Sequence, residues 1–171
     1  MKFSTALATL VVAAAMTFQS ASAQSPDQMF GLGVSAGSSA AIELCYAVNP
    51  AIHIGAGVGI TLHSHSVNNT STSSNYIVFA PYARFILKGT STFKPFLQGA
   101  FEVASGPVQT GLSTENQTNT GLGLGGGAFY FPAATVGLFG QISVISLGFG
   151  DVSTTDIGIH SGRLGALWFF N

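Results

Sequence analysis

The 171-residue sequence predicts an all-β protein, an eight-stranded antiparallel up-and-down transmembrane β-barrel. Three observations lead there. Apolar residues recur with a period of two in eight successive segments, the alternation expected of strands with one apolar face. Charged residues make up 6% of the chain and apolar residues 47%, whereas an ordinary soluble domain is about 25% charged. The polar connections between segments alternate between short and long, as in barrels with tight turns at one rim and long loops at the other. Eight is also the smallest strand number that closes a membrane barrel.

Other classes fall away on composition. The 22 glycines, with many Ser, Thr and Asn residues, argue against a helical membrane protein. No stretch after residue 23 approaches the unbroken apolar run of about 20 residues that a spanning helix needs. The 14 phenylalanines exclude a disordered chain. A net charge of −1 offers no basic patch for nucleic acid. The single cysteine, Cys45, has no partner for an intramolecular disulfide.

Residues 1–23 read as a cleaved secretory signal peptide. Lys2 supplies the positive start, Ala6 to Met16 the apolar centre, and Ala21-Ser22-Ala23 the small-x-small cleavage site. The apolar run is too short to cross a bilayer about 30 Å thick. Gln24 is then the first mature residue, and Gln24–Asn171 is one barrel domain.

Each strand follows from its alternation. In the first, Phe30, Leu32, Val34 and Ala36 face outward against Gly31, Gly33, Ser35 and Gly37. In the second, Ile42, Leu44, Tyr46 and Val48 oppose Ala41, Glu43, Cys45 and Ala47. The third sets Ile52, Ile54, Ala56, Val58, Ile60 and Leu62 against His53, three glycines and Thr61. The fourth turns Ile77, Phe79, Pro81, Ala83, Phe85 and Leu87 outward, with Tyr82 and Arg84 inward. Leu97, Phe101 and Val103 oppose Gln98 and Glu102 in the fifth. The sixth sets Leu122, Leu124, Ala128 and Tyr130 against Gly121, Gly123, Gly125 and Gly127. In the seventh, Val136, Leu138, Ile142 and Val144 oppose Thr135, Gly137, Gln141 and Ser143. The eighth ends with Leu164, Ala166, Trp168 and Phe170 outward and Arg163, Gly165 and Leu167 inward.

Asn49-Pro50, Lys88 to Phe93 and Pro132-Ala133 read as short turns. His63 to Asn75, Ser105 to Asn119 and Gly148 to Asp156 read as longer polar loops at the opposite rim, where only Gly37 to Ser39 is short. Phe30, Tyr46, Phe85, Tyr130, Trp168 and Phe170 all fall at the short-turn rim, where a girdle of amphipathic rings would meet lipid headgroups. A soluble eight-stranded barrel such as a lipocalin would need a polar outer face; here the outer face is the apolar one.

This pattern resembles the small eight-stranded outer-membrane barrels of the OmpA/OmpX type, and the compact outer membrane protein beta-barrel domain family. The resemblance covers Gln24 to Asn171 and rests on Pro81-Tyr82-Ala83-Arg84-Phe85, Lys94-Pro95-Phe96-Leu97 and the aromatic end Trp168-Phe169-Phe170. It implies residence in the outer membrane of a Gram-negative-type bacterium, among outer-membrane lipids. It also implies biogenesis through periplasmic chaperones and the barrel-assembly machinery, which reads a terminal Phe in such barrels. Here Asn171 follows that Phe. The implied role is structural or surface-interacting; a lipid-modifying enzyme or a narrow channel is the alternative.

Motifs with chemical meaning are few. Gly33-Val34-Ser35-Ala36-Gly37 matches a nucleophile elbow, and Gly121, Gly123 and Gly126 match a dinucleotide fingerprint, but each motif needs a following helix that the period-two pattern denies. These glycines read instead as room for inward side chains of neighbouring strands. His63, His65, His53 and His160 lack the Cys or carboxylate partners of a metal site. Two enzymes of this fold act on lipid A, and the deacylase uses a His-x-Ser pair. Here Ser161 directly follows His160, so the two alternate across the strand. No catalytic residue, cofactor or metal is expected, and the loops name no ligand.

The informative charges take interior parity: Glu43, Arg84, Glu102 and Arg163, each on a different strand. Two Arg–Glu pairs in a confined lumen would satisfy one another, and Gln98, Gln141 and Tyr82 would extend the network. The expected reading is a structural interior network in an occluded barrel, with Glu102 paired to an arginine.

Overall fold

A computed structural model of the protein describes residues 26–37, 39–67, 70–110, 113–150 and 154–171, with the side chains of 62–67, 70–74, 108–110, 113 and 160 excepted. The signal peptide expected over 1–23 lies outside the described residues.

The strands are β1 (Met29–Gly37), β2 (Ala40–Asn49), β3 (Ile52–Val67), β4 (Thr70–Ile86), β5 (Phe93–Thr110), β6 (Ser113–Ala133), β7 (Val136–Gly150) and β8 (Thr154–Phe170). Each pairs antiparallel with its neighbours in sequence, and the sheet closes on itself as a barrel. The closing seam runs from Phe30 opposite Phe170 to Gly37 opposite Arg163. Closure leaves no unpaired strand edge, which a sheet in hydrocarbon cannot tolerate.

Alternation decides which side chains meet which medium. Leu32, Leu44, Ile54, Phe79, Leu97, Leu124, Ile142 and Leu164, one from each strand in order, all stand exposed on the outer wall. The inward positions carry the buried core: Phe96, Phe129, Phe131, Phe139, Leu167 and Phe169, packed with Cys45, Ala47 and Ile86. This core fills the half of the lumen nearest the short turns. Outside it lies the aromatic girdle, where Phe30 sits 4.8 Å from Tyr46 and Trp168 6.2 Å from Phe170, centroid to centroid. Phe93 faces Tyr130 across β5 and β6 at the same rim.

The turns at this rim are tied locally. Asn49 accepts a 2.8 Å bond from the Ala51 amide through its side-chain oxygen, holding the β2–β3 turn. Thr90 Oγ1 accepts from the Phe93 amide at 2.9 Å before β5 begins. The β6–β7 turn differs from expectation: Pro132 and Ala133 belong to β6, and Ala134-Thr135 makes the connection. Proline lacks an amide donor and so reads as a breaker. Here it occupies a register irregularity between Tyr130 and Ala133, where a ladder bond is not required of it.

The long polar loops are also shorter than expected. Pairing of β3 with β4 continues from His63 opposite Ser74 to Val67 opposite Thr70. The β5–β6 ladder likewise continues to Thr110 opposite Ser113, and β7 and β8 run to Gly150 and from Thr154. A spanning strand needs only about 9–11 residues, close to the 9 of β1 and 10 of β2. β6, with 21, extends far beyond that span. The strands of the long side therefore project past the apolar belt as polar hairpins, where Thr and Ser pair across strands, as Ser105 and Thr118 do at 2.9 Å.

Candidate functional site: an interior charge cluster beneath a polar cup

The interior is stacked in three layers along the barrel axis. The lowest is the aromatic plug. Phe129 is its centre, with ring centroids 5.1 Å from Phe96, 5.3 Å from Phe131 and 5.5 Å from Phe139, spacings typical of favourable ring pairs. His53 stands between Phe129 and Phe169 at 5.9 and 5.8 Å; it is fully buried, and neither ring nitrogen has a hydrogen-bond partner among the described residues.

The plug fits because glycines face its largest neighbours. A Cβ on Gly165 would lie 2.4 Å from the Phe139 ring, and one on Gly55 would lie 2.6 Å from the Tyr82 hydroxyl. No side chain larger than hydrogen fits at either position without moving a ring or the barrel wall.

The middle layer is built on Arg84, which is wholly buried. Its NH2 donates to Glu43 Oε2 at 3.0 Å and to Gln141 Oε1 at 3.3 Å. Its Nε donates to Gln98 Oε1 at 2.6 Å and its NH1 to the Tyr82 hydroxyl at 3.4 Å. Tyr82 in turn donates to Glu43 Oε2 at 3.1 Å. The guanidinium also lies 4.2 Å from the Tyr82 ring centroid and 4.5 Å from that of Phe139. It therefore combines an ion pair, hydrogen bonds and cation–π contacts in a site closed to water, where each is strong.

Arg163 reaches the same carboxylate from β8. Its NH1 is 3.9 Å from Glu43 Oε1, while its NH2 donates to Ser39 Oγ at 3.1 Å. Two guanidiniums thus face one buried carboxylate, a formal excess of one positive charge. Of the four expected interior charges, Glu43, Arg84 and Arg163 come together. Glu102 does not, and the second Arg–Glu pair expected for it is not formed among the described residues. The reason is height. Arg84 stands opposite Gln98 on β5, not opposite Glu102. Glu102 lies four residues further along, roughly 13 Å up the strand at about 3.3 Å per residue.

Above the cluster the lumen opens into a cup of about 520 Å³, lined by Gln98, Glu102, Gln141, Ser143, Asp156 and Arg163 among others. Gly121 and Gly123, read from sequence as room for neighbouring side chains, instead border this open space; a Cβ on Gly123 would meet nothing nearer than the Ile145 carbonyl at 3.9 Å. Ser161 lines the same cup. The side chains of His63, His65 and His160 lie outside the described residues. Ser35 is buried within β1, so no helix follows the GxSxG match.

Gln98, Gln141 and Tyr82 all join Arg84, as interior parity suggested. Ser39 as the partner of Arg163, and Phe131 and Phe169 as plug residues, were not singled out. The signal for the phenylalanines was their inward parity beside Phe129 and Leu167.

This architecture defines a class: small closed eight-stranded antiparallel barrels with an apolar outer wall and a filled interior, the fold of outer-membrane barrels. No family model matches the chain, and no curated protein matches it by sequence. Solved structures do match in fold. The N-terminal β-barrel domain of Pseudomonas aeruginosa OprF superposes with a TM-score of 0.58 at 11% identity, over 84% of this chain and 98% of that one. Neisserial surface protein A (NspA) gives 0.57 at 19% identity, over 83% and 94%. Ail, the attachment invasion locus protein of Yersinia pestis, gives 0.50 at 10% identity, over 83% and 94%. At these identities the similarity is one of fold.

Proposed function

We propose that this chain is an integral outer-membrane protein, exported by a cleaved signal peptide, with a structural or surface-interaction role. The observation that supports it most is the pairing of an apolar outer wall on all eight strands with an interior closed at one end. In such a setting the girdle sits at the inner headgroup level, both termini lie in the periplasm, and the polar hairpins of β3–β4 and β5–β6 project from the cell. Its partners are outer-membrane lipids and, during biogenesis, periplasmic chaperones and the barrel-assembly machinery. A lipid-modifying enzyme would need serine, histidine and acid together on the lipid face, whereas Ser161 lines the cup.

Protease added to intact cells is expected to cut within 63–75 or 105–119 and to spare both termini. Cleavage confined to residues 24–28 would reverse the orientation.

The closed interior gives a second expectation. An eight-stranded barrel is only about wide enough for side chains to fill it, and here Phe96, Phe129, Phe131 and Phe169 are buried across one end. Purified protein in planar bilayers is therefore expected to show no conductance above the bare membrane; steady currents from the wild type would refute an occluded lumen.

A further inference from the structure

We propose that the cup above the charge cluster binds a small zwitterion, with its carboxylate on the floor and its cationic end toward the mouth.

The floor is a set of donors whose direction the cluster dictates. Arginine can only donate, so Gln98 and Gln141 must each turn the carbonyl oxygen toward Arg84. Each side-chain NH2 is thereby turned away from Arg84, and both residues line the cup. Neither NH2 has a protein acceptor among the described residues. Arg163 adds a guanidinium that also lines the cup and is 16% exposed. Among the described residues its guanidinium donates one hydrogen bond, to Ser39, and at 3.9 Å from Glu43 it is beyond hydrogen-bonding distance of that carboxylate. The floor thus combines unspent N–H donors with the formal excess positive charge of the cluster. A carboxylate supplies the acceptor oxygens that such a floor lacks, in the forked geometry a guanidinium matches.

The mouth has the opposite sign. Glu102 and Asp156 line the upper wall, and neither forms an ion pair among the described residues. Arg163 is the only cation among the lining residues. A dianion is therefore opposed at the mouth and a simple cation at the floor, and a solute carrying both charges is favoured along the axis. Glu102 stands roughly 13 Å up the strand from Gln98, and an extended tripeptide spans about 10 Å. The volume of about 520 Å³ falls in the usual range of small-molecule sites. The geometry therefore points to zwitterions of short-peptide length.

The test uses the chain folded in detergent micelles, with triglycine, triglycinamide (no carboxylate) and succinate (no ammonium) as probes in titration calorimetry. Triglycine is expected to bind saturably with a millimolar or tighter Kd, and each of the other two at least about tenfold more weakly. Gly123→Leu, which fills open space rather than displacing backbone, is expected to abolish triglycine binding while the barrel stays folded. Arg163→Lys keeps the charge but loses the fork and is expected to weaken triglycine about tenfold. Glu102→Gln is expected to weaken triglycine but not succinate. Absence of saturable triglycine binding by the folded wild type would overturn the proposal. So would equal binding of succinate, or triglycine binding indifferent to Gly123→Leu.

Discussion

Glu43→Ala is expected to destabilise the barrel by about 3–5 kcal/mol, the cost of leaving buried charge without its partner. The carboxylate is wholly enclosed and holds Arg84 through a 3.0 Å ion pair, the Tyr82 hydroxyl at 3.1 Å, and Arg163 at 3.9 Å. Removing it strands two guanidiniums at once, with water unable to reach Arg84. The check is a urea unfolding midpoint in micelles, with Glu102→Ala measured beside it. Glu102 faces the cup, free of either arginine, so its loss is expected to leave the midpoint where it is. Equal effects of the two substitutions would disprove the assignment of the network to Glu43.

Phe129→Ala is expected to cost a similar amount, about 3–5 kcal/mol, because a fully buried ring is removed and its neighbours cannot close the space. Those neighbours are Phe96, Phe131 and Phe139, each within 5.5 Å of its ring centre, and His53 at 5.9 Å. They are held by a sheet closed on itself, so collapse around the cavity is limited. Phe129→Leu, which retains much of the volume, is expected to lose clearly less. If Phe129→Ala unfolds at the wild-type midpoint, the plug is not a packed core.

The sequence made the faces of the strands legible because lipid on one side and a small lumen on the other force every side chain to choose. Arg84 and Glu43 read as inward from parity alone, and so did Gln98, Gln141 and Tyr82. Height along the axis was not legible, since parity repeats every two residues and carries no register. Glu102 therefore looked as eligible as Glu43, although the ladder sets Gln98, not Glu102, opposite Arg84. The reach of the strands beyond the membrane was hidden for a related reason. Segments such as His63 to Val67 carry no sustained apolar alternation in the sequence, yet their backbones continue to pair. The bulge at Val144 was equally silent: Ser143 and Ile145 pair with Gly125 and Leu124, adjacent residues of β6, and the outward positions of β7 change parity above it. A β-bulge inserts one residue without demanding a special side chain.

The central claim, a sheet of eight strands closed on itself as a barrel, is tested most directly by electrophoresis of the folded protein in SDS with and without boiling. A closed barrel resists SDS until heated, so the unheated sample is expected to migrate as a distinct compact band and the boiled sample as the unfolded chain. Identical migration of the two would contradict the closed barrel.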